Sequence, residues 1–480
     1  MDLFRLETGS IINGEIRKGN GRQVHEVRFP YNQQLVGTID FALEKDIEDA
    51  IEGAYQTFHN EFKYVPAYKR SKILRKAAEI MEQRKEELAE ILTLEVGKPI
   101  KDALGEVGRA IQVLEFSAEE AKRIQGETIP MDAAIGGENR LGIVKKYPLG
   151  VVLAITPFNF PLNLALHKIG PAIAAGNTVI LKPAEKTPLS SVYLYEIFKE
   201  AGLPIGALQI VMGEGIHVVP PLVKSEKVSK VSFTGSYAVG KSIYEMAGLK
   251  KVTLELGSNS PNIVLNDADI EESAKALVKG SFVNAGQVCI SVQRIYVQRE
   301  IFEEFQQHFA HYTKQLKVGN PLREETDVAS QITKESCLKA KSWVDEAVEQ
   351  GASIVAGGEI VDGILQPTVL TNVTASMNVV CNEIFAPVVS IIPFETDEEA
   401  LKLANDSLYG LQASVFTTNI NRAISFADQL ETGGVWINEI STYRQDNYPY
   451  GGVKQSGVGK EGIAYAIQDM LQTKFIGLKY

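Results

Sequence analysis

Short apolar runs alternate with helical stretches between residues 150 and 257, and this alternation restricts the chain more than any other feature. Gly150–Ile155 reads as a buried strand and Leu162–Ala175 as a helix ended by Gly176-Asn177. Thr178–Leu181 reads as a strand, Ser190–Ala201 as a helix and Leu208–Met212 as a third strand. Val231–Phe233 and Val252–Leu254 are further strands with a helix between them. Strands separated by helices of about 10–15 residues build βαβ units and a doubly wound parallel sheet, so the expected class is α/β.

The alternation starts again near residue 258. Asn262–Leu265, Arg294–Val297, Val388–Ile392, Ala413–Phe416 and Gly434–Ile437 read as strands of a second α/β unit. Upstream, residues 44–122 read as helical. From Ala67 to Glu95 the apolar residues Ile73, Leu74, Ala77, Ile80, Met81, Leu88, Ile91 and Leu92 keep helical spacing, and Gly97-Lys98-Pro99 stops the run. Residues 124–146 break the pattern, and Ile124, Gly126, Thr128, Ile129 and Met131 suggest an extended hairpin. The tail Thr473–Leu478 is apolar and strand-like. An exposed strand of that kind is an aggregation hazard unless it pairs, which predicts a subunit partner.

At about 150 residues per domain, 480 residues suggest roughly three domains. With 49 basic and 60 acidic residues the net charge is −11, a poor match for phosphate backbones or an anionic membrane surface. Three scattered cysteines, 289, 337 and 381, make neither a disulfide framework nor a zinc site, and no metal is expected. Met1–Glu7 carries acids and no apolar stretch, and no run of 18 apolar residues occurs. The expected setting is reducing and cytoplasmic.

Two motifs compete for attention. Gly235–Ser242 fits G-x-x-x-x-G-K-S between a strand and a helix. Taken alone it admits a P-loop NTPase, with Lys241 on the terminal phosphates, Ser242 on magnesium and Asn262–Asp267 as a weak second motif. Gly457–Gly462 fits G-x-G-x-x-G, but no buried strand precedes it and no βαβ unit follows, so it reads as a turn starting the last helix.

Five positions offer chemistry. Cys289 follows the polar turn Asn284-Ala-Gly-Gln-Val; it is a nucleophile if accessible and partly ionised, and otherwise a small core residue. Cys337, beside Leu338 and Trp343, reads as core, and Cys381 as structural. Glu255 ends the strand Val252–Leu254, where parallel sheets bind ligands, and suits a general base or a solvated strand end. Asn159, in Thr156-Pro-Phe-Asn-Phe-Pro161, is either a turn residue or an oxyanion donor. Lys182 and Glu185 end another strand and either bind a ribose diol or face solvent.

The joint order of these residues resembles the aldehyde dehydrogenase superfamily over essentially the whole chain. The matching stretches are Ile155–Pro161, Ala174–Thr178, Leu181–Glu185, Phe233–Ser236 with Gly240, Glu255–Gly257, Gly286–Cys289, Asn382–Phe385 with Pro387, and Pro449–Gly457. The resemblance implies a Rossmann-like NAD(P)-binding domain (1–123 and 147–257), a catalytic domain (258–455) and a small β oligomerisation element (124–146 and 456–480). It implies a Cys289 thiohemiacetal, Asn159 and the Cys289 N–H as oxyanion donors, and Glu255 activating water on the thioester. Thr156, Phe158, Lys182, Glu185, Gly213, Gly235, Ser236, Leu256, Glu383 and Phe385 would hold NAD, with NADP use open. In this family the 235–236 segment receives a pyrophosphate, which displaces the P-loop reading.

Departures mark a subgroup: Phe158 replaces the usual Trp, Ser258-Asn259 follow Glu-Leu-Gly, and Ala386 precedes Pro387. Ala285–Ser291 and Tyr443–Asn447 look most like lactaldehyde dehydrogenases. Related branches oxidise glyceraldehyde 3-phosphate without added phosphate, phosphonoacetaldehyde or sulfolactaldehyde. Arg109, Phe160 and Arg444 fall on substrate positions of the resemblance, although Val288 stands where anion-binding branches often carry an arginine. A small polar or anionic aldehyde oxidised to its acid is the expected reaction, with a homodimer or homotetramer as the assembly. The alternatives are a CoA-acylating relative, a non-catalytic binding protein and the NTPase.

Overall fold

The computed structural model describes residues 6–19 and 21–480. Most of the N-terminal segment read above as lacking a leader (residues 1–5 of 1–7) therefore lies outside the described residues.

The first lobe is built on five parallel strands in the spatial order Lys251–Glu255, Val228–Thr234, Val151–Ile155, Thr178–Lys182, Leu208–Ile210. The chain winds outward from Val151–Ile155 to Leu208–Ile210, then returns to the other side through Val228–Thr234. That reversal creates a switch point between Ile155 and Thr234, the place where doubly wound sheets open a ligand crevice. Every residue of Val151–Ile155 and Thr178–Lys182 is buried, because helices cover both faces of the sheet. Both segments therefore read as continuous apolar runs.

Strands absent from the sequence reading complete this sheet. Leu6–Ile12 pairs antiparallel with Leu208–Ile210, followed by Leu35–Asp40 and Val24–Arg28, and Gly457–Val458 closes the opposite edge against Lys251–Glu255. The 44–122 region forms four helices: Glu44–Asn60, Ala67–Gln83, Lys85–Val96 and Ile100–Glu120. The expected continuous helix over 67–95 is broken at Arg84, whose N–H caps the first piece on Ile80 O and Met81 O. Apolar spacing runs straight through the break. The first piece buries one face, and the second is buried nearly all round from Leu88 to Val96.

The second lobe carries six successive parallel strands: Thr368–Thr371, Val388–Phe394, Arg294–Gln298, Pro261–Val264, Gln412–Phe416 and Gly434–Ile437. Thr368–Thr371 and the antiparallel edge Ser353–Ala356 add to the five strands expected. The small third sheet sets Arg140–Pro148 between Glu127–Ile129 and Leu471–Lys479, with nine paired residues along the tail. The tail strand thus finds its first partner within its own chain. The last helix, Ile463–Asp469, buries Ile463 and Ile467 in the main core of the first lobe. Among the described residues no helix is long and apolar enough to cross a membrane.

Candidate active site

A cavity of about 510 Å³ opens at the C-terminal ends of Val151–Ile155, Thr178–Lys182, Val228–Thr234 and Lys251–Glu255, and its far wall comes from the second lobe. Cys289, Asn159 and Glu255 all line it. Three elements distant in sequence therefore place a thiol, an amide and a carboxyl around one space.

The approach to Cys289 is unusual. Asn284, Ala285 and Gly286 take φ of 50°, 53° and 70° in succession. For L-residues the left-handed region costs roughly 1–2 kcal/mol each, so the loop must be held by its surroundings. Asn284 Nδ2 donates to Asn159 O at 3.2 Å, Gln287 Nε2 donates to Asn284 O at 3.1 Å, and Ile332 N donates to Gln287 Oε1 at 2.9 Å. Gly286 has no alternative: a Cβ there would sit 2.1 Å from Ala386 O. This packing aims the Cys289 side chain into the cavity.

The turn carrying Asn159 rests on a buried ion pair. Lys98 Nζ contacts Glu106 at 2.5 Å and donates to Asn159 O at 2.6 Å, and both side chains are fully buried. Glu106 also accepts from Leu162 N and Asn163 N, which opens the helix Pro161–Ala175. Lys98 Nζ lies 3.9 Å above the Phe160 ring. Sequence reading took Lys98 only as part of a helix stop, because nothing local marks its burial.

Asn159 Nδ2 donates to Gln287 O at 2.8 Å, which fixes the amide and leaves its second N–H uncommitted. Both Glu255 oxygens are buried and, among the described residues, have no hydrogen-bond partner. Burial, then the neighbouring Glu461 carboxylate, holds the Glu255 carboxyl well above the usual range. Burial pushes the Cys289 thiol up to about 11, opposed by a hydrogen bond from Tyr450 and the charge of Arg444. Burial likewise raises Glu383 to about 7, against the N–H of Ser258 at 3.0 Å.

The remaining cavity wall suits a dinucleotide. Gly235 and Ser236 line it at the start of the helix Tyr237–Ala247, whose free N–H groups favour an anion. A Cβ on Gly235 would sit 2.5 Å from the Phe233 ring, so bare backbone faces the space. Lys182 and Glu185 also line it, joined at 2.6 Å, with Glu185 accepting from Gly215 N at 2.6 Å. Thr156, Phe158, Leu256, Glu383 and Phe385 complete the wall, and the Phe158 and Phe385 rings meet edge to face at 5.9 Å. Gly213 does not reach the cavity; it is buried in the preceding turn, and Gly215 takes its place. Lys241 and Ser242 are exposed on the far side of their helix, so no P-loop cradle forms.

Behind Cys289 lies a cluster of buried charges that the sequence did not announce. Lys168 Nζ donates to Glu461 Oε1 at 2.9 Å and to Thr234 Oγ1 at 2.8 Å. His167 lies between Asp446 at 2.8 Å and Glu461 at 3.1 Å. Arg444 also belongs here, which corrects its expected role as a substrate clamp. Its side chain is only 6% exposed, its Nη2 donates to Glu461 Oε2 at 2.8 Å, and its plane covers the Tyr450 ring at 3.6 Å. Arg109 is more open, 31% exposed, with one Nη on Asp446 at 2.7 Å. Phe160 packs with Cys289, Tyr448 and Tyr450.

The sequence model of the aldehyde dehydrogenase family matches residues 16–476. The chain is 46% identical over 470 residues to the 3-sulfolactaldehyde dehydrogenase of Priestia megaterium, covering 98% of each. It is 43% identical over 470 residues to the lactaldehyde dehydrogenase of Methanococcus aeolicus, covering 97% of this chain and 98% of the other. Among solved structures, glyceraldehyde-3-phosphate dehydrogenase GapN from Methanocaldococcus jannaschii, complexed with NADP, superposes with a TM-score of 0.92 at 41% identity. The match covers 96% of this chain and all of that one.

Proposed function

We propose that this chain, which belongs to the aldehyde dehydrogenase family, uses Cys289 as the nucleophile in oxidising a small polar or anionic aldehyde to its carboxylic acid. It is an NAD(P)-dependent enzyme. The observation that carries the site assignment is the convergence of Cys289, Asn159 and Glu255 on one cavity that continues to the N-terminus of the helix Tyr237–Ala247.

The Cys289 thiolate adds to the carbonyl carbon, forming a carbon–sulfur bond. The free Asn159 N–H and the Cys289 backbone N–H receive the negative oxygen. Loss of a hydride from this adduct would leave a thioester, and NAD(P), held along the wall that Gly235, Ser236, Lys182 and Glu185 line, would supply the hydride acceptor. Glu255, ionised, takes a proton from water, whose oxygen attacks the thioester carbon; the carbon–sulfur bond breaks and frees the acid and the Cys289 thiolate. The raised proton affinity of Glu255 makes it a stronger base than a solvated carboxylate. Lys182, Glu185 and Glu383 would hold the two riboses, Gly235 and Ser236 the pyrophosphate, and Thr156, Phe158, Leu256 and Phe385 the nicotinamide end.

Arg109, held by Asp446 and partly exposed, would meet the polar end of the substrate. A base at the cavity favours hydrolysis over transfer to CoA, and an NTPase lacks its lysine. The three sheets support an NAD(P)-binding unit (1–123 and 147–257), a catalytic unit (258–455) and a bridging element (124–146 and 456–480). The outer strand Leu471–Lys479 leaves Phe475 and Leu478 half exposed, which supports pairing with a second copy. A monomer in analytical ultracentrifugation at micromolar concentration counts against that. The acidic chain and its scattered thiols support a reducing, cytoplasmic setting.

The decisive experiment is Cys289→Ser with short aldehydes and NAD or NADP. Loss of all aldehyde-dependent reduction is expected, and turnover near the parent rate would sink the reading.

A further inference from the structure

The hydroxyl of Tyr450 lies 3.3 Å from the Cys289 sulfur. Tyr450 is 1% exposed, and its backbone forms a two-way bridge with Glu461, N to O at 3.0 Å and O to N at 2.6 Å. The ring is therefore fixed in position. Over its other face lies the Arg444 guanidinium, 3.6 Å from the ring centre, itself held by Glu461. A desolvated cation over a tyrosine face is attracted to the ring's negative π-surface and holds the ring in place. We propose that Tyr450 donates its phenolic hydrogen to the Cys289 sulfur and stabilises the thiolate, with Arg444 as the positioning residue that clamps the donor ring.

The direction of the hydrogen bond follows from acidity. Burial holds the Tyr450 phenol well above its ordinary range, so it keeps its proton, and toward a thiolate, which carries none, it can only be the donor. The charged groups facing the sulfur are Arg444, which favours the thiolate, and Glu383 and Glu255, which oppose it. Glu255 also opposes ionisation of Tyr450, and Arg444 favours it. Against two carboxyls and a desolvated pocket, the Tyr450 hydroxyl is the one hydrogen-bond donor recorded at the sulfur among the described residues. When the thiolate attacks, the same donor stays with the sulfur, and it is free to follow the charge back when the thioester breaks.

This inference deepens the reading of Cys289 as nucleophile, and its test does not depend on turnover. The probe is iodoacetamide, with the alkylated Cys289 peptide quantified by mass spectrometry across pH in the full-length enzyme without substrate. Tyr450→Phe keeps the ring and its stack on Arg444 and removes only the hydroxyl. A hydrogen bond to a charged group sets the expected scale, so the alkylation midpoint should rise by roughly one to two pH units, a ten- to hundredfold fall in thiolate near neutrality. Arg444→Lys keeps the charge and loses the planar stack, and should shift the midpoint in the same direction by less. An unchanged midpoint in Tyr450→Phe overturns the proposal. If Cys289→Ser still oxidises aldehydes while Tyr450→Phe moves the midpoint, the nucleophile assignment fails and the donor assignment stands.

Discussion

The crevice and the floor of the site handle buried charge in opposite ways. In the crevice, Glu255 is 3% exposed and neither oxygen has a partner among the described residues. On the floor, Glu461 is 2% exposed yet contacts Lys168, His167 and Arg444. The first carboxyl is driven upward by burial and by its neighbour. The second goes well below the ordinary range because burial is outweighed, chiefly by Lys168 and His167. One acid is left hungry for a proton and the other is kept charged, only because their partners differ. The carboxyl that must take a proton is left without a partner, and the carboxyl that must stay charged is paired on both oxygens.

Breaking the unpaired side has the largest expected effect. Glu255→Gln should release about one equivalent of NADH per site and then stall, with the steady-state rate down roughly 10²–10⁴-fold. Since the folded Glu255 carboxyl is held well above its ordinary value, its base form accumulates as pH rises. Thioester hydrolysis in the parent enzyme should therefore climb as pH rises, and the residual rate of the variant should lack that climb. Stopped-flow traces between pH 6 and 9 read both.

Breaking the saturated side should cost stability. Lys168→Met removes a partner of Glu461 and leaves a buried charge short of compensation, about 3–5 kcal/mol by precedent for such pairs. Thermal or urea unfolding should register that loss; an unchanged midpoint would mean the floor is not the rigid support described. Arg109→Ala sits at the border between the two regions. It should raise KM about tenfold for an anionic aldehyde, the scale of one charge-assisted hydrogen bond, and leave a neutral aldehyde of similar size unaffected. Equal effects on both would move Arg109 wholly to the floor. Lys241→Ala, on the exposed side of the crevice helix, should change kcat/KM by less than about twofold.

The same contrast explains what the sequence disclosed. Val151–Ile155 and Thr178–Lys182 were legible because burial on both faces writes an unbroken apolar run. Leu35–Asp40 was not, since Gly37 interrupts it where a Cβ would meet Leu6 O at 2.6 Å. Cys289, Asn159 and Glu255 stood out because each ends or follows a readable strand or turn. Lys98, His167, Lys168, Tyr450 and Glu461 carry no local mark; only the fold reveals their partners. Arg444 misled for that reason: an arginine in a polar loop looks exposed until the ring beneath it and Glu461 behind it are in place.

Glu461 bridges Tyr450 through the backbone and anchors the floor through its side chain, so the site waits for a segment that lies far downstream of Cys289 in the chain. Until that stretch leaves the ribosome, a growing chain holds its thiol without the donor ring locked beside it.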